Sequence, residues 1–514
     1  MNRKLSILIL GIGLFCRFSI ALSRADMIWP DEQFQTLEPA SEIVFGHSYL
    51  AWEWVRGYRS WLLPVFFTPI LVAAKVLGLK SGLSLIHFTR AAMAVVDITA
   101  WALLVRILRK MNFRSTTQLL VLLLSAFLPA LQLWGVTTLQ DHMAMILMVL
   151  ALSVAHESAR LSGSPFRRLI AGFLLGSLGW IKIQLGLFSA GWVLASALNE
   201  GRAKQSIVAG FKGGLPWILG GVIALLFLGL VDLATLGGFA KSTLNQLTQG
   251  ESLSRFYGTS PWTVGLAKLI DLLGALPWVL LAFAIPIRFL MAPSSAETLR
   301  ISVPVRPILA GALLYTAAHL GIPHKETRFF LPMAPAIFIW IAWAWNPLLG
   351  RMEDKIGPSV RTLSGGRQLA LLMGFALGIG TLGAIGFGIA QETPNYLSST
   401  DVSDLEEVIS KIRPNLQNPE KICILLAGHH FSWTRGALIL GADVDYRDWA
   451  ASSENLDSHS PACELAIAGI TKTETFIQEN PDFALLKKGR AAFVLLARKS
   501  LINRLHHLTE FQTN

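Results

Sequence analysis

Two short polar stretches in this chain hold residue types that can do chemistry together. The first is "PDEQFQTLE", residues 30–38. Asp31 and Glu32 directly follow Pro30, whose ring fixes the local backbone. Gln35 and Glu38 follow at helical spacing from Asp31 and can share its face. A carboxylate placed here can act as a general base on a hydroxyl group. The plain alternative is a solvated acidic loop in which Pro30 and Asp31 start a helix. The second stretch is "HKETR", residues 324–328, set between two apolar runs. Lys325 and Arg328 lie three apart, with His324 and Glu326 beside them. Such cations can clamp a phosphate, Arg as a planar fork and Lys as a point charge. The alternative here is a turn that only keeps charge at the lipid headgroups.

Other residues stand near these two. Asp141 in "TTLQDH" reads equally as a helix cap or as a functional carboxylate. Lys182 in "WIKIQ" is a further cation, or a side chain that snorkels to the interface. Asp97 and Asp232 fall within or at the edge of apolar runs, where a carboxylate is costly and faces the bundle interior; Asp97 reads as structural. His429 and His430 follow a strand-like run and read as a loop feature before a metal site.

The elements that must position these residues are membrane helices. Of 514 residues, 53% are hydrophobic and only 15% charged, against about 25% charged in soluble domains. Many apolar runs reach the roughly 20 residues a bilayer crossing needs. The fold class is therefore an α-helical multi-spanning membrane protein. A net charge of +11 marks cytoplasmic loops here, not a nucleic-acid partner. Three cysteines are too few for a disulfide scaffold.

Charge then orients the chain. The start, "MNRKLSILILGIGLFCRFSIALSRA", is like a signal peptide, but Arg17 interrupts its apolar segment and no clean cleavage site follows. It reads as a retained first helix with Arg3 and Lys4 inside. The loop 23–60 is the most acidic between spans and is rich in Trp29, Trp52, Trp54, Tyr58 and Trp61, which suits an outer membrane surface. Further spans are expected near 85–106, 117–134, 139–157, 167–181, 183–199, 212–232, 266–288, 305–322, 329–347 and 369–390. Basic connections such as "RILRKMNFR" and "ARLSGSPFRR" fall on one side. The pattern gives about 11 transmembrane helices, N-terminus in and C-terminus out. Pro64 and Pro69 break the run 61–79, which reads as interfacial or re-entrant. Residues 1–390 thus form the membrane domain. Residues 391–514 alternate strand-length apolar runs, "KICILLAGHH", "CELAIAGI" and "AAFVLLARKS", with helix-like stretches. They read as a small exoplasmic α/β domain.

Every polar cluster that looks chemical then sits on one face. A base, a phosphate clamp and lipid access suit an enzyme acting on a lipid-phosphate substrate. They also suit a transporter or flippase for a lipid-linked glycan, but that class predicts paired repeats and midplane polar groups, and neither is seen.

The same stretches resemble a known family. "PDEQFQTLE" with "AWEWVRGYRSWLLP" is similar to the first exoplasmic loop of the dolichyl-phosphate-mannose-dependent mannosyltransferases of glycosyltransferase family 22, most of all the glycosylphosphatidylinositol mannosyltransferases. "HKETRF" resembles their HKE-x-RF signature. "RFYGTSPW" (255–262), with Tyr257 and Trp262, resembles a later loop, and "CILLAGHHFSW" the start of their tail. The resemblance implies a GT-C fold and an inverting transfer without a metal or other cofactor. It implies a polyprenyl-phosphate-linked sugar, usually mannose, as donor and a glycan or glycolipid as acceptor. It places the base at Asp31 or Glu32 and donor-phosphate binding at His324, Lys325 and Arg328. Glu326, Gln35, Glu38, Asp141, Lys182, Tyr257 and Trp262 would support them. "TTLQDHMAM" and "WIKIQ" depart from the family pattern, which leaves acceptor and sugar open. The expected place is a plasma membrane of bacterial type, or the ER membrane in a eukaryote, with an exoplasmic site.

Overall fold

The computed structural model describes residues 3–23, 31–46, 50–158, 164–203, 206–256, 258–290, 305–361 and 408–416, a five-stranded tail with its last helix, and isolated positions, apart from single residues within these ranges. The expected span 369–390 and the pair His429 and His430 lie outside the described residues.

The membrane part is a succession of helices. They are α1 (Arg3–Ser23), α2 (Glu38–Phe45), α3 (Trp52–Val55), α4 (Leu62–Val65), α5 (Thr68–Val76) and α6 (Gly82–Lys110). Next come α7 (Ser115–Phe127), α8 (Pro129–Trp134), α9 (Gln140–Ser158), α10 (Pro165–Ile181), α11 (Leu185–Ala203) and α12 (Ile207–Leu236). Then follow α13 (Lys241–Phe256), α14 (Trp262–Leu273), α15 (Ala275–Leu290), α16 (Arg306–Gly321), a 3₁₀ turn Thr327–Met333 and α17 (Ala334–Arg361).

The expected eleven crossings are not reached among the described residues. Among the described residues four helical stretches are long and apolar enough to cross a bilayer: α1, α6, most of α12, and Thr327–Asp354. A fifth arises if α14 and the start of α15, bent by 101° at their junction, count as one span. The sequence reading counted apolar runs, and several runs are broken. Pro129 divides 115–134 into α7 and α8. Helices α10 and α16 stop at 17 and 16 residues. The stretch 61–79 holds only α4 and α5, consistent with its two prolines.

Buried polar groups and close backbone approaches hold the bundle. Arg17, fully buried on α1, pairs with Asp97 of α6 at 2.8 Å and donates to the Ser125 carbonyl at 2.8 Å. Asp97 also takes Trp101 Nε1 and lies against His142 Nε2, each at 3.1 Å. Asp97 is thus structural, and the Arg that interrupts the first apolar run is what ties α1 into the bundle. Asp232 accepts from the backbone N–H of Ser242 at 2.9 Å, fixing the turn between α12 and α13. Helices α10 and α12 cross at glycines: a Cβ at Gly172 would lie 2.2 Å from the Trp217 carbonyl. Small residues let membrane helices approach this closely.

In the tail, β1 (Ile422–Ala427), β2 (Val444–Asp448), β3 (Leu465–Gly469), β4 (Phe483–Lys488), β5 (Phe493–Arg498) and α18 (Lys499–Leu505) follow one another. The sheet order is β2-β1-β3-β5-β4, with β1 parallel to β2 and β3, and β5 antiparallel to β3 and β4. The three expected apolar runs are β1, β3 and β5. Strands β2 and β4 were missed because "VDYRD" and "FALLKK" carry charges. Cys463 is disulfide-bonded, while Cys16 on α1 is free.

Candidate functional site

The first loop folds as a short helical segment from Asp31. It loosens into a π turn, Gln33–Leu37, before α2 begins. Such wide turns often occur at functional sites. They also change the spacing on which a shared helical face depends. In this turn Glu38 meets Gln33, five residues before it. Gln33 Nε2 donates to Glu38 at 2.6 Å inside the protein, and Gln35 Nε2 approaches Glu53 at 3.4 Å.

The two adjacent carboxylates have different environments. Glu32 is fully buried. Its Oε2 accepts the Thr138 backbone N–H at 3.2 Å and lies 3.5 Å from Arg90 Nη2. The Thr138 hydroxyl donates to the Glu32 carbonyl at 2.9 Å. Asp31 keeps 17% of its side chain exposed and forms an ion pair with Arg328. Burial, with Glu53 and Glu326 near, raises the Asp31 carboxyl above its ordinary range, and the Arg328 and Arg59 guanidiniums oppose that rise.

Arg328 joins the loop to the "HKETR" turn. Its Nε donates to Glu326 Oε2 at 2.5 Å, and Glu326 Oε1 lies 2.7 Å from His324 Nε2. Burial alone would raise Glu326. The Arg328 guanidinium and the hydrogen bonds from His324 and Arg328 instead hold it down to about 2. The result is one continuous chain, Asp31–Arg328–Glu326–His324. Lys325 stands apart from it. Its stem packs toward α14, where a Cβ at Gly265 would lie 3.2 Å from Lys325 Cε. Burial lowers its ammonium, and among the described residues it has no ion-pair partner.

A second pair adjoins the chain. Lys182 Nζ donates to Asp141 Oδ1 at 2.6 Å and sits 3.9 Å from the centroid of the Phe329 ring. Burial lowers the Lys182 ammonium, while Asp141 opposes the shift. The Arg328 guanidinium lies 5.5 Å from the centroid of the same ring. Thus Asp31, His324, Glu326, Arg328, Lys182 and Asp141 are brought together. Trp262 begins α14 and is 59% exposed, outside this buried group. Tyr257 lies outside the described residues.

The sequence reading also missed contributors. Arg59 bridges Glu53 and Gln140, at 2.9 Å to each. His319 packs between Tyr315 and Phe329, with ring centroids 4.1 and 6.1 Å away. The signal for Gln140 and Thr138 was present in "TTLQDH": Thr138, Gln140, Asp141 and His142 each bond a different element. The Trp-rich loop is also not only a surface belt. Trp54 is 3% exposed, donates to the Phe34 carbonyl at 2.8 Å and packs on Trp61. Among the described residues no group of three or more His, Cys, Asp or Glu side chains is placed to hold a metal ion.

With this arrangement established, the comparison with known proteins is direct. Residues 8–435 match the profile of the Alg9-like mannosyltransferase family. The chain belongs to this family. Among its relatives, GPI mannosyltransferase 3 of Yarrowia lipolytica is 28% identical over 338 residues, 64% of this chain and 60% of that protein. GPI alpha-1,2-mannosyltransferase 3 of Mus musculus is 27% identical over 325 residues, 61% of this chain and 54% of that protein. The matched stretch therefore spans only about 60% or less of the length of these relatives. In overall shape the chain is similar to ArnT from Cupriavidus metallidurans bound to undecaprenyl phosphate, with a TM-score of 0.61 and 15% identity. That match covers 98% of this chain and 99% of the other. The apo form of ArnT gives 0.56 at 16% identity, covering 96% and 98%. An Alg9-like chain with this architecture is a GT-C-fold multi-spanning membrane protein with a small C-terminal β-sheet domain.

Proposed function

We propose that this Alg9-like protein is an inverting glycosyltransferase that moves a sugar, mannose by family, from a polyprenyl phosphate to a glycan or glycolipid acceptor. The observation that carries the reading is the Asp31–Arg328–Glu326–His324 chain, which sets a carboxylate beside fixed cations. Asp31 takes the proton of the acceptor hydroxyl. The oxygen attacks the anomeric carbon from the face opposite the phosphate, the carbon–oxygen bond to phosphate breaks, and the polyprenyl phosphate leaves as the anion. Lys325 and Arg328, with His324, hold that anion; fixed cations facing developing charge are a large source of rate enhancement. Glu32, buried and bonded, holds the loop instead of acting as the base. Turnover of radiolabelled polyprenyl-phosphate-mannose by purified protein, compared with the arabinose and glucose donors, tests the reading; no transfer from any of them rejects it.

Arg328 serves both the base and the phosphate in this reading. Arg328→Ala should weaken donor affinity by roughly 1.5 to 3 kcal/mol, the scale of a hydrogen bond to a charged group. Arg328→Lys should restore only part, because the fork is lost while Asp31, Glu326 and the phosphate still compete for it. Donor KM and thermal stability, measured on both variants, check this. A wild-type KM in Arg328→Lys would reduce the turn to an anchor.

The proposed orientation puts the site and the tail on the exoplasmic face. The disulfide at Cys463 supports it, since such bonds persist in oxidising compartments. Ser500 is exposed at the start of α18. Ser500→Cys, in a protein expressed in a bacterial plasma membrane, should react with an impermeant maleimide in intact cells. Reaction only after permeabilisation would place the tail inside.

A further inference from the structure

Beside the reacting groups lie two buried acceptors without donors. Asp141 is fully buried; Oδ1 takes the Lys182 ammonium at 2.6 Å, and Oδ2 has no hydrogen-bond partner among the described residues. His319 is 2% exposed. Its Nδ1 lies 3.1 Å from the Tyr315 carbonyl, which can only accept, so Nδ1 carries the proton. In the neutral ring Nε2 is then an acceptor, and it too lacks a partner among the described residues. The two are neighbours of one centre. Lys182 acts electrostatically on His319 and holds Asp141, and Asp141 is within electrostatic range of Arg328.

A buried acceptor without a donor is costly unless a ligand brings one. The phosphate of a polyprenyl donor is itself an acceptor, and its isoprene chain has no polar hydrogen. A sugar ring carries several hydroxyl donors. We propose that Asp141 and His319 accept hydrogen bonds from hydroxyls of the transferred sugar, with Lys182 fixing the Asp141 carboxylate for the purpose. This rests on the glycosyltransferase reading above and names what that reading leaves open, the residues that choose the sugar. Asp141 lies in "TTLQDH" and its partner Lys182 in "WIKIQ", the two stretches where the sequence departs from the family pattern. A site built to bond a hydroxyl rejects the analogue that lacks it, because its own buried groups are then left unpaired.

The test is a cycle between variants and donors. Polyprenyl-phosphate-mannose and its series of monodeoxy analogues are turned over by wild type, Asp141→Ala and His319→Phe, the last keeping a ring between Tyr315 and Phe329. For wild type, at least one analogue should lose about 10²-fold or more in kcat/KM. Asp141→Ala should lose a similar factor with the parent donor and little more with that analogue, since the bond is already gone. His319→Phe should show the same non-additivity, with the same or another hydroxyl, and decides the matter if Asp141→Ala does not fold. Losses that multiply independently for every analogue, in a wild type that transfers mannose, overturn this inference alone. A wild type that transfers no polyprenyl-linked sugar overturns the glycosyltransferase reading first and this one with it.

Discussion

Asp31→Asn should leave the protein folded and able to bind donor while transfer falls by about 10² to 10⁴, the contribution of a positioned general base. Asn keeps the shape of the side chain and loses the proton acceptor. The choice of Asp31 over Glu32 follows from their surroundings. Glu32 is fully buried against Thr138 and Arg90, whereas Asp31 keeps 17% of its side chain exposed and faces Arg328. Glu32→Gln should therefore disturb stability more than chemistry. The pH profile gives a second check. A base works deprotonated, so activity is present above its pKa and is lost as pH falls through it. Burial raises Asp31, so the acid limb should lie above the ordinary aspartate value of about 3.9. It should vanish in Asp31→Asn. Wild-type turnover in Asp31→Asn with loss in Glu32→Gln would exchange the two roles.

The largest stability effect is expected at Arg17. Arg17→Ala removes the partner of a carboxylate that is 1% exposed and leaves Asp97 with His142 and Trp101 alone. Breaking a buried ion pair by removing one partner typically costs about 3–5 kcal/mol. Thermal unfolding in a lipid-like detergent should show Arg17→Ala well below wild type. The double variant Arg17→Ala/Asp97→Ala should recover part of the loss, because no uncompensated charge remains. Equal melting of wild type and Arg17→Ala would mean that α1 is held by apolar packing alone. In that case the Arg in the first apolar run would have no structural reason.

The sequence by itself determined the class, the family and the two stretches that meet. Low charge and long apolar runs are properties of composition, so a helical membrane protein was legible without coordinates. "PDE" and "HKETR" were legible because so many polar side chains near a bilayer are tolerated only where something satisfies them. Within "HKETR" Glu326 bonds Arg328, while Lys325 stands apart. Three β-strands were readable because their runs are wholly apolar.

Only the tertiary structure decided which atom faces which. Sequence spacing suggested an ordinary helical face from Asp31 to Gln35 and Glu38; the π turn at Gln33–Leu37, and the Gln33–Glu38 bond across five residues, are seen only in the structure. Asp31 and Glu32 are chemically alike and adjacent, so nothing local could tell the partly exposed carboxylate from the fully buried one. The count of crossings failed for a related reason: hydropathy sees an apolar run, while Pro129 and the 101° bend between α14 and α15 break such runs in space. Arg17 and Asp97 lie far apart in the chain and became a pair only when α1 packed on α6. Polar partners of that kind are chosen by helix packing, which a one-dimensional pattern does not encode.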